Sequence, residues 1–209
     1  MTSQPDRAAD QRLLDGIKAY VSGLRHPDLD DFRDDIMRAG NEWVPVEPEN
    51  GPASDLMVSS LAYTTTTTHG IAALFAGERT TCKWEQTYKP SDNAALNAML
   101  DSYGFAEVIG KWGPFVSDQS RVGMALWGPN VVYPQHRHKA DEIYIIVAGS
   151  AEFSVGEGTG SWTEIRRAGD IVRISSNSLH GFTTADEPLA ILAVWQAAPE
   201  DLRTSSTFN

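Results

Sequence analysis

Residues 133–144 read Tyr133-Pro134-Gln135-His136-Arg137-His138-Lys139-Ala140-Asp141-Glu142-Ile143-Tyr144. Side chains alternate faces along an extended strand, so His136 and His138 present their imidazoles on one side and Arg137 and Lys139 on the other. A bend after His138 returns Glu142 towards the two rings at the start of the next strand, and Tyr144 then projects on the side of Glu142. A third imidazole, His180, stands in Ser176-Asn177-Ser178-Leu179-His180-Gly181, at the start of a later strand. Three neutral nitrogens and one carboxylate suffice to hold a borderline divalent ion and leave positions open for water or substrate. Buried without an ion or hydrogen-bond partners, the same groups would be costly. His26 and His69 lie outside this pattern and read as satisfied or exposed residues.

The surrounding chain reads as short strands. Val122, Met124 and Leu126 alternate with small residues, residues 143–147 form an apolar run, and Phe153 and Val155 alternate. Residues 171–174 follow a Gly-Asp turn, and Leu189 to Trp195 is a last apolar segment. Turn residues separate these runs at short intervals, and no helix-length pattern intervenes after Gly104. That spacing predicts an all-β barrel or sandwich rather than a parallel α/β sheet.

Upstream the period changes. Leu13, Leu14, Ile17, Tyr20, Val21 and Leu24 recur at helical spacing, predicting a helix over 10–24. Pro27 and Asp28 start a second helix lined by Leu29, Phe32, Ile36 and Met37 and stopped near Gly40. Residues 45–52 read as an exposed connector. The threonines at 64–68 disfavour helix and read as strand or ordered loop, with a short helix over His69 to Ala76. Ser91 and Asp92 are expected to cap a helix running through Leu96, Met99, Leu100 and Tyr103 to Gly104. The expected organisation is a helical extension, residues 1–104, packed on a β domain, residues 105–209.

The 209 residues carry one cysteine, Cys82, which excludes an internal disulfide framework and a multi-thiolate zinc site. A net charge of −11 argues against a nucleic-acid partner. No apolar run reaches the roughly 18–20 residues of a membrane span, and no secretory signal is visible, so a cytoplasmic protein is expected.

Gly128, His136, His138, Glu142 and Gly149 resemble the first cupin motif, and Gly169 and His180 the second. The chain departs in three places: seven residues separate Gly128 from His136 where five are usual, Ser175 and Asn177 replace a Pro-x-Gly pair, and Thr184 stands where the motif ends in Asn. Asn tolerates the left-handed conformation a glycine would take there. The resemblance covers roughly residues 105–197 and implies a jelly-roll β-barrel. The pattern Tyr-x-x-His-x-His-x-x-x-Glu-x-Tyr behind a helical extension narrows it to the dimethylsulfoniopropionate lyase-like cupins. That resemblance implies His136, His138, Glu142 and His180 as ligands of one divalent transition ion, Zn2+ or Fe2+ first and Mn2+, Co2+ or Ni2+ as alternatives. It further implies Tyr144 and Tyr133 as base or substrate contacts, and Trp195 as a pocket tryptophan.

The implied substrate is a small zwitterion with a carboxylate and a dimethylsulfonium. Tyr144 is expected to take the proton, with Tyr133 in reserve. Trp195, Tyr133, Trp127 and Phe182 are expected to offer aromatic faces to the sulfonium. Two other classes share the ligand set: an Fe(II)-dependent cupin dioxygenase and a non-catalytic small-molecule-binding cupin. A sugar isomerase gains no special support, and the N-terminal helices are expected either to cover the barrel or to form a homodimer surface.

Overall fold

The computed structural model describes residues 4–202 and 206–208. Helix α1 (Arg7–Gly23) starts at Asp6, whose carboxylate accepts from the amides of Ala8 and Ala9 at 2.9 and 3.1 Å. Helix α2 (Pro27–Arg38) begins at proline, where the missing N–H costs nothing, and Asp28 lies inside its first turn. Asp28 was expected to accept an amide there; the cap residue is His26, and no side chain caps this helix. Helices α3 (Leu56–Ser59) and α4 (His69–Glu78) follow, with Thr68 as the residue before α4. The threonine run is a loop touching Ala148 through Thr64.

Strand β1 (Trp84–Glu85) and helix α5 (Ala94–Leu100) complete the upstream half. Helix α5 departs from the local pattern at both ends. Asn93, rather than Ser91 or Asp92, caps α5 by accepting from Leu96 N at 3.0 Å. The helix also ends at Leu100 instead of running through Tyr103, because Tyr103 and Gly104 pair with Trp127 and Leu126 in a sheet. Long-range pairing overrides the local stop signal.

The β half contains β2 (Tyr103–Ile109), β3 (Ser120–Trp127), β4 (Val132–Arg137), β5 (Asp141–Ala148) and β6 (Ser150–Val155). It continues through β7 (Trp162–Arg167), β8 (Ile171–Ile174), β9 (His180–Thr184), β10 (Leu189–Gln196) and β11 (Thr207–Phe208). Two antiparallel sheets result, in the orders β1-β2-β3-β10-β5-β8 and β11-β4-β9-β6-β7. The chain is therefore mainly β with N-terminal helices, and β1 joins the larger sheet from upstream of residue 105.

Packing divides by side-chain parity. Val122, Met124 and Leu126 of β3, Ile143, Ile145 and Val147 of β5, and Leu192 and Val194 of β10 share one apolar cluster with Leu13, Ile17, Val21, Phe32 and Phe75 of the helices. The intervening residues Trp127, Tyr144, Ile146 and Ile191 belong to a second, aromatic-rich cluster between the sheets. The turn from β5 to β6 requires Gly149, at φ +76°, where a Cβ would lie 2.2 Å from the Pro188 carbonyl oxygen. Among the described residues no helix is long and apolar enough to cross a membrane.

Candidate metal centre

Strand β4 delivers His136, and His138 follows directly after it; β5 delivers Glu142, and β9 opens with His180. His136 and His180 are directly opposite across the β4–β9 ladder, and their ring centroids lie 4.1 Å apart. His138 sits 4.9 Å from the His180 ring. The three imidazoles offer ligand nitrogens that all lie within 4.8 Å of one another.

The orientation of each ring is set by main chain. His136 Nδ1 faces the Pro134 carbonyl at 2.9 Å, His138 Nδ1 the Ala140 carbonyl at 3.0 Å, and His180 Nδ1 the Ser178 carbonyl at 2.9 Å. A carbonyl only accepts, so each Nδ1 carries the proton and each Nε2 is left for the centre, an arrangement that metal-binding histidines commonly use. Glu142, fully buried, closes the set: its Oε2 lies 3.0 Å from His138 Nε2 and 3.3 Å from His180 Nε2. His136 Nε2 and Glu142 Oε1 are buried without a hydrogen-bond partner, and His180 Nε2 makes no aligned one. Buried polar groups are normally satisfied, so these converging, unsatisfied atoms fit a divalent ion.

Electrostatics within the cluster follow from burial and from Glu142. Burial drives the His136 imidazole down to about 3, helped by the neighbouring His180, so His136 stays neutral and able to ligate. Burial also works against the Glu142 carboxylate, but the imidazoles of His138 and His180 beside it outweigh burial and hold Glu142 down at about 2. For His138, burial is outweighed by the adjacent Glu142 carboxylate, which favours the charged imidazolium, and its value rises.

The turn before His180 keeps its shape with asparagine in the glycine position. Asn177 adopts φ +60°, and its N–H donates to the His138 carbonyl at 2.8 Å. Thr184, at the motif's last position, is buried; its hydroxyl donates to the Gly128 carbonyl and accepts from Val131 N, both at 2.8 Å.

Tyr144 is buried, 6.4 Å from the His180 ring, and burial together with Glu142 pushes its phenol well above the ordinary range. Tyr133 packs against His136 at 4.5 Å between ring centroids, and its hydroxyl is hydrogen-bonded to that of Tyr88. Trp127 and Phe182 lie in the aromatic cluster, 5.0 Å apart, with Tyr133 5.4 Å from Trp127 and 5.1 Å from Phe182. A cavity of about 110 Å³ is lined by His138, Trp195, Tyr88 and Arg121.

Three residues here carry no motif in the sequence. Tyr88 precedes α5, and its ring stands 6.4 Å from His136. Phe208 pairs opposite His136 in the β4–β11 ladder and packs 5.3 Å from its ring. Arg121 reaches the cavity from β3. Only tertiary pairing brings them to the site.

A family model for dimethylsulfoniopropionate lyase matches residues 37–191. The chain is 33% identical over 161 residues to the dimethylsulfoniopropionate lyase DddQ of Ruegeria pomeroyi, covering 77% of this chain and 76% of that protein. It is 25% identical over 206 residues to the putative dimethylsulfoniopropionate lyase DddL of Cereibacter sphaeroides, covering 96% of this chain and 76% of the relative. The crystal structure of the Ruegeria pomeroyi DddQ superposes with a TM-score of 0.81 at 30% identity, covering 98% of each chain. With two such sheets, helices before them and a matching model across most of its length, the chain belongs to the dimethylsulfoniopropionate lyase family, a cupin-fold group.

Proposed function

We propose that this chain is a metal-dependent carbon–sulfur lyase that splits dimethylsulfoniopropionate by β-elimination into dimethyl sulfide and acrylate. The observation that carries the reading is three imidazole nitrogens within 4.8 Å of one another, each ring held through its Nδ1, with the Glu142 carboxylate 3.0 Å from His138 Nε2 and 3.3 Å from His180 Nε2. Family membership supplies the substrate class. His136, His138, Glu142 and His180 would hold the ion, with Zn2+ and Fe2+ the leading choices and Mn2+, Co2+ and Ni2+ behind them. When bound, such an ion draws electron density from a substrate carboxylate, making the neighbouring C–H more acidic, and favours the phenolate of a nearby tyrosine.

The remaining work falls to the chain. Tyr144, as phenolate, removes the proton from the carbon beside the carboxylate through its Oη. The C–H electron pair becomes the new C=C bond, and the C–S pair leaves on sulfur. Dimethyl sulfide departs neutral, so no general acid is needed, and the proton on Tyr144 returns to solvent. Tyr133, whose ring lies on His136, is the second candidate for the base. Trp195 offers an aromatic face to the sulfonium, an attraction of about 0.5–2 kcal/mol depending on desolvation.

Headspace gas chromatography of purified protein with dimethylsulfoniopropionate tests the proposal. Dimethyl sulfide and acrylate are expected in equal amounts, without oxygen, lost with a chelator and restored by one of the named ions. No dimethyl sulfide with any of them overturns it. A strict requirement for oxygen would make the chain an oxygenase instead.

A further inference from the structure

This inference rests on the reading of Trp195 as the docking face for the cationic end of the substrate, and it concerns what fixes that face. Trp195 is the cross-strand partner of Arg121 in the β3–β10 ladder. The Arg121 guanidinium lies over the Trp195 ring, 5.4 Å from its centroid, and also over Phe105 at 4.6 Å and Trp112 at 5.4 Å. Phe105 meets Trp195 edge-on at 5.3 Å.

Arg121 is itself clamped. Its Nε donates to Glu107, whose side chain is 3% exposed, and its Nη2 stands 3.9 Å from Glu85. The other Glu107 oxygen accepts the amides of Trp112 and Gly113 at 2.8 and 3.0 Å. The turn wraps the carboxylate so closely that a Cβ on Gly110 would lie 2.3 Å from Glu107 Oε1. A carboxylate held by two main-chain amides is a rigid anchor, and a planar guanidinium keeps one orientation on it where an ammonium would not. Arg121 also shares the cavity wall with His138 and Trp195.

We propose that Arg121, anchored by Glu107, is a positioning residue for substrate binding: it fixes the plane of Trp195 and occupies one of its faces, leaving the opposite face to the cationic end of the substrate. Glu107 also neutralises the guanidinium, which would otherwise oppose a second cation on the same ring.

Steady-state kinetics of metal-loaded protein test this. Arg121→Lys keeps the charge but loses the flat stack, and KM is expected to rise about tenfold, the scale of one good cation–π contact, with kcat within about twofold and metal content at the parental level. In a Trp195→Ala background the same change is expected to alter KM by less than about twofold, because residues acting through one another are non-additive. A parental KM in Arg121→Lys, or an equal factor in both backgrounds, overturns the proposal. Should Arg121→Lys fail to fold, Glu107→Gln replaces it, with the same expected rise in KM and the same two overturning results. A second measurement needs no turnover. The emission of Trp195, obtained by subtracting the spectrum of Trp195→Phe, is expected to shift in Arg121→Lys, and an unchanged spectrum overturns the assignment. If the parent releases no dimethyl sulfide, the functional reading falls while this spectrum still decides what Arg121 does.

Discussion

Strands β3, β5 and β10 are buried on both faces, and the two faces differ in kind. The face towards the helices is aliphatic: Val122, Met124, Leu126, Ile143, Ile145, Val147, Leu192 and Val194 pack on Leu13, Ile17, Val21 and Phe75. The face between the sheets carries Trp127, Tyr144 and Trp195, with Glu142 at 0% exposure beside the imidazoles of His138 and His180. The first face gains free energy simply by leaving water. The second buries groups that water would solvate well, so its stability depends on partners and its use is chemical. Because strand residues alternate, stability and chemistry are divided between neighbours in sequence.

That division can be broken from the polar side first. Glu142→Ala, or chelation of the parent, is expected to lower turnover about a thousandfold or more while far-ultraviolet circular dichroism stays unchanged, since metal ligands act on the reaction more than on the aliphatic face. Elemental analysis beside headspace assays checks it. Tyr144→Phe is next: a loss of about 10²–10⁴ in kcat with metal content intact is the expected scale for removing a general base. Near-normal turnover would move the proton to Tyr133.

The aliphatic side offers the converse. Leu192→Ala, at a fully buried site, is expected to cost about 2–5 kcal/mol in denaturant unfolding while kcat per metal-loaded molecule stays within about twofold. A fall in kcat without loss of metal would mean that the two faces are coupled. Trp195→Ala is expected to raise KM about tenfold and leave metal content alone; parallel loss of both would make Trp195 structural.

The smallest effect lies in the helical layer. Asp10 is buried and accepts from the Trp43 indole at 2.9 Å; burial, outweighing that bond, raises its carboxyl above the usual range. An acid with a raised value in the folded state destabilises the fold wherever it is ionised. Asp10→Asn should therefore be more stable at neutral pH, and the gain should vanish below the ordinary value of about 3.9, where Asp10 is protonated in both states. Melting curves across pH 3–7 test the sign.

Legibility in the sequence follows the range of the interactions. The strand alternation of Val122, Met124 and Leu126 and the positions of His136, His138 and Glu142 are local patterns, readable from a period of two. Helix α1 is equally local, although it begins before the apolar stripe, with Asp6 as its cap. The end of α5 is not local, because Tyr103 answers to Trp127, many residues downstream. Tyr88, Arg121 and Phe208 were invisible for the same reason. Each reaches the site through a fold-level contact, and an isolated tyrosine, arginine or phenylalanine has no spacing to reveal it. Asn177 shows the opposite case, since its tolerance of positive φ was readable and φ is +60°.

The main-chain bond from Asn177 to His138 ties the turn carrying one imidazole to the strand end carrying another. Such a staple operates whether or not the ligands are occupied. Small metal-nucleated domains lose their shape when stripped; this one has a large aliphatic interior of its own. Depletion of the ion should thus yield a folded reservoir that regains activity on simple replenishment, at the speed of diffusion into a ready-made cage and not of refolding.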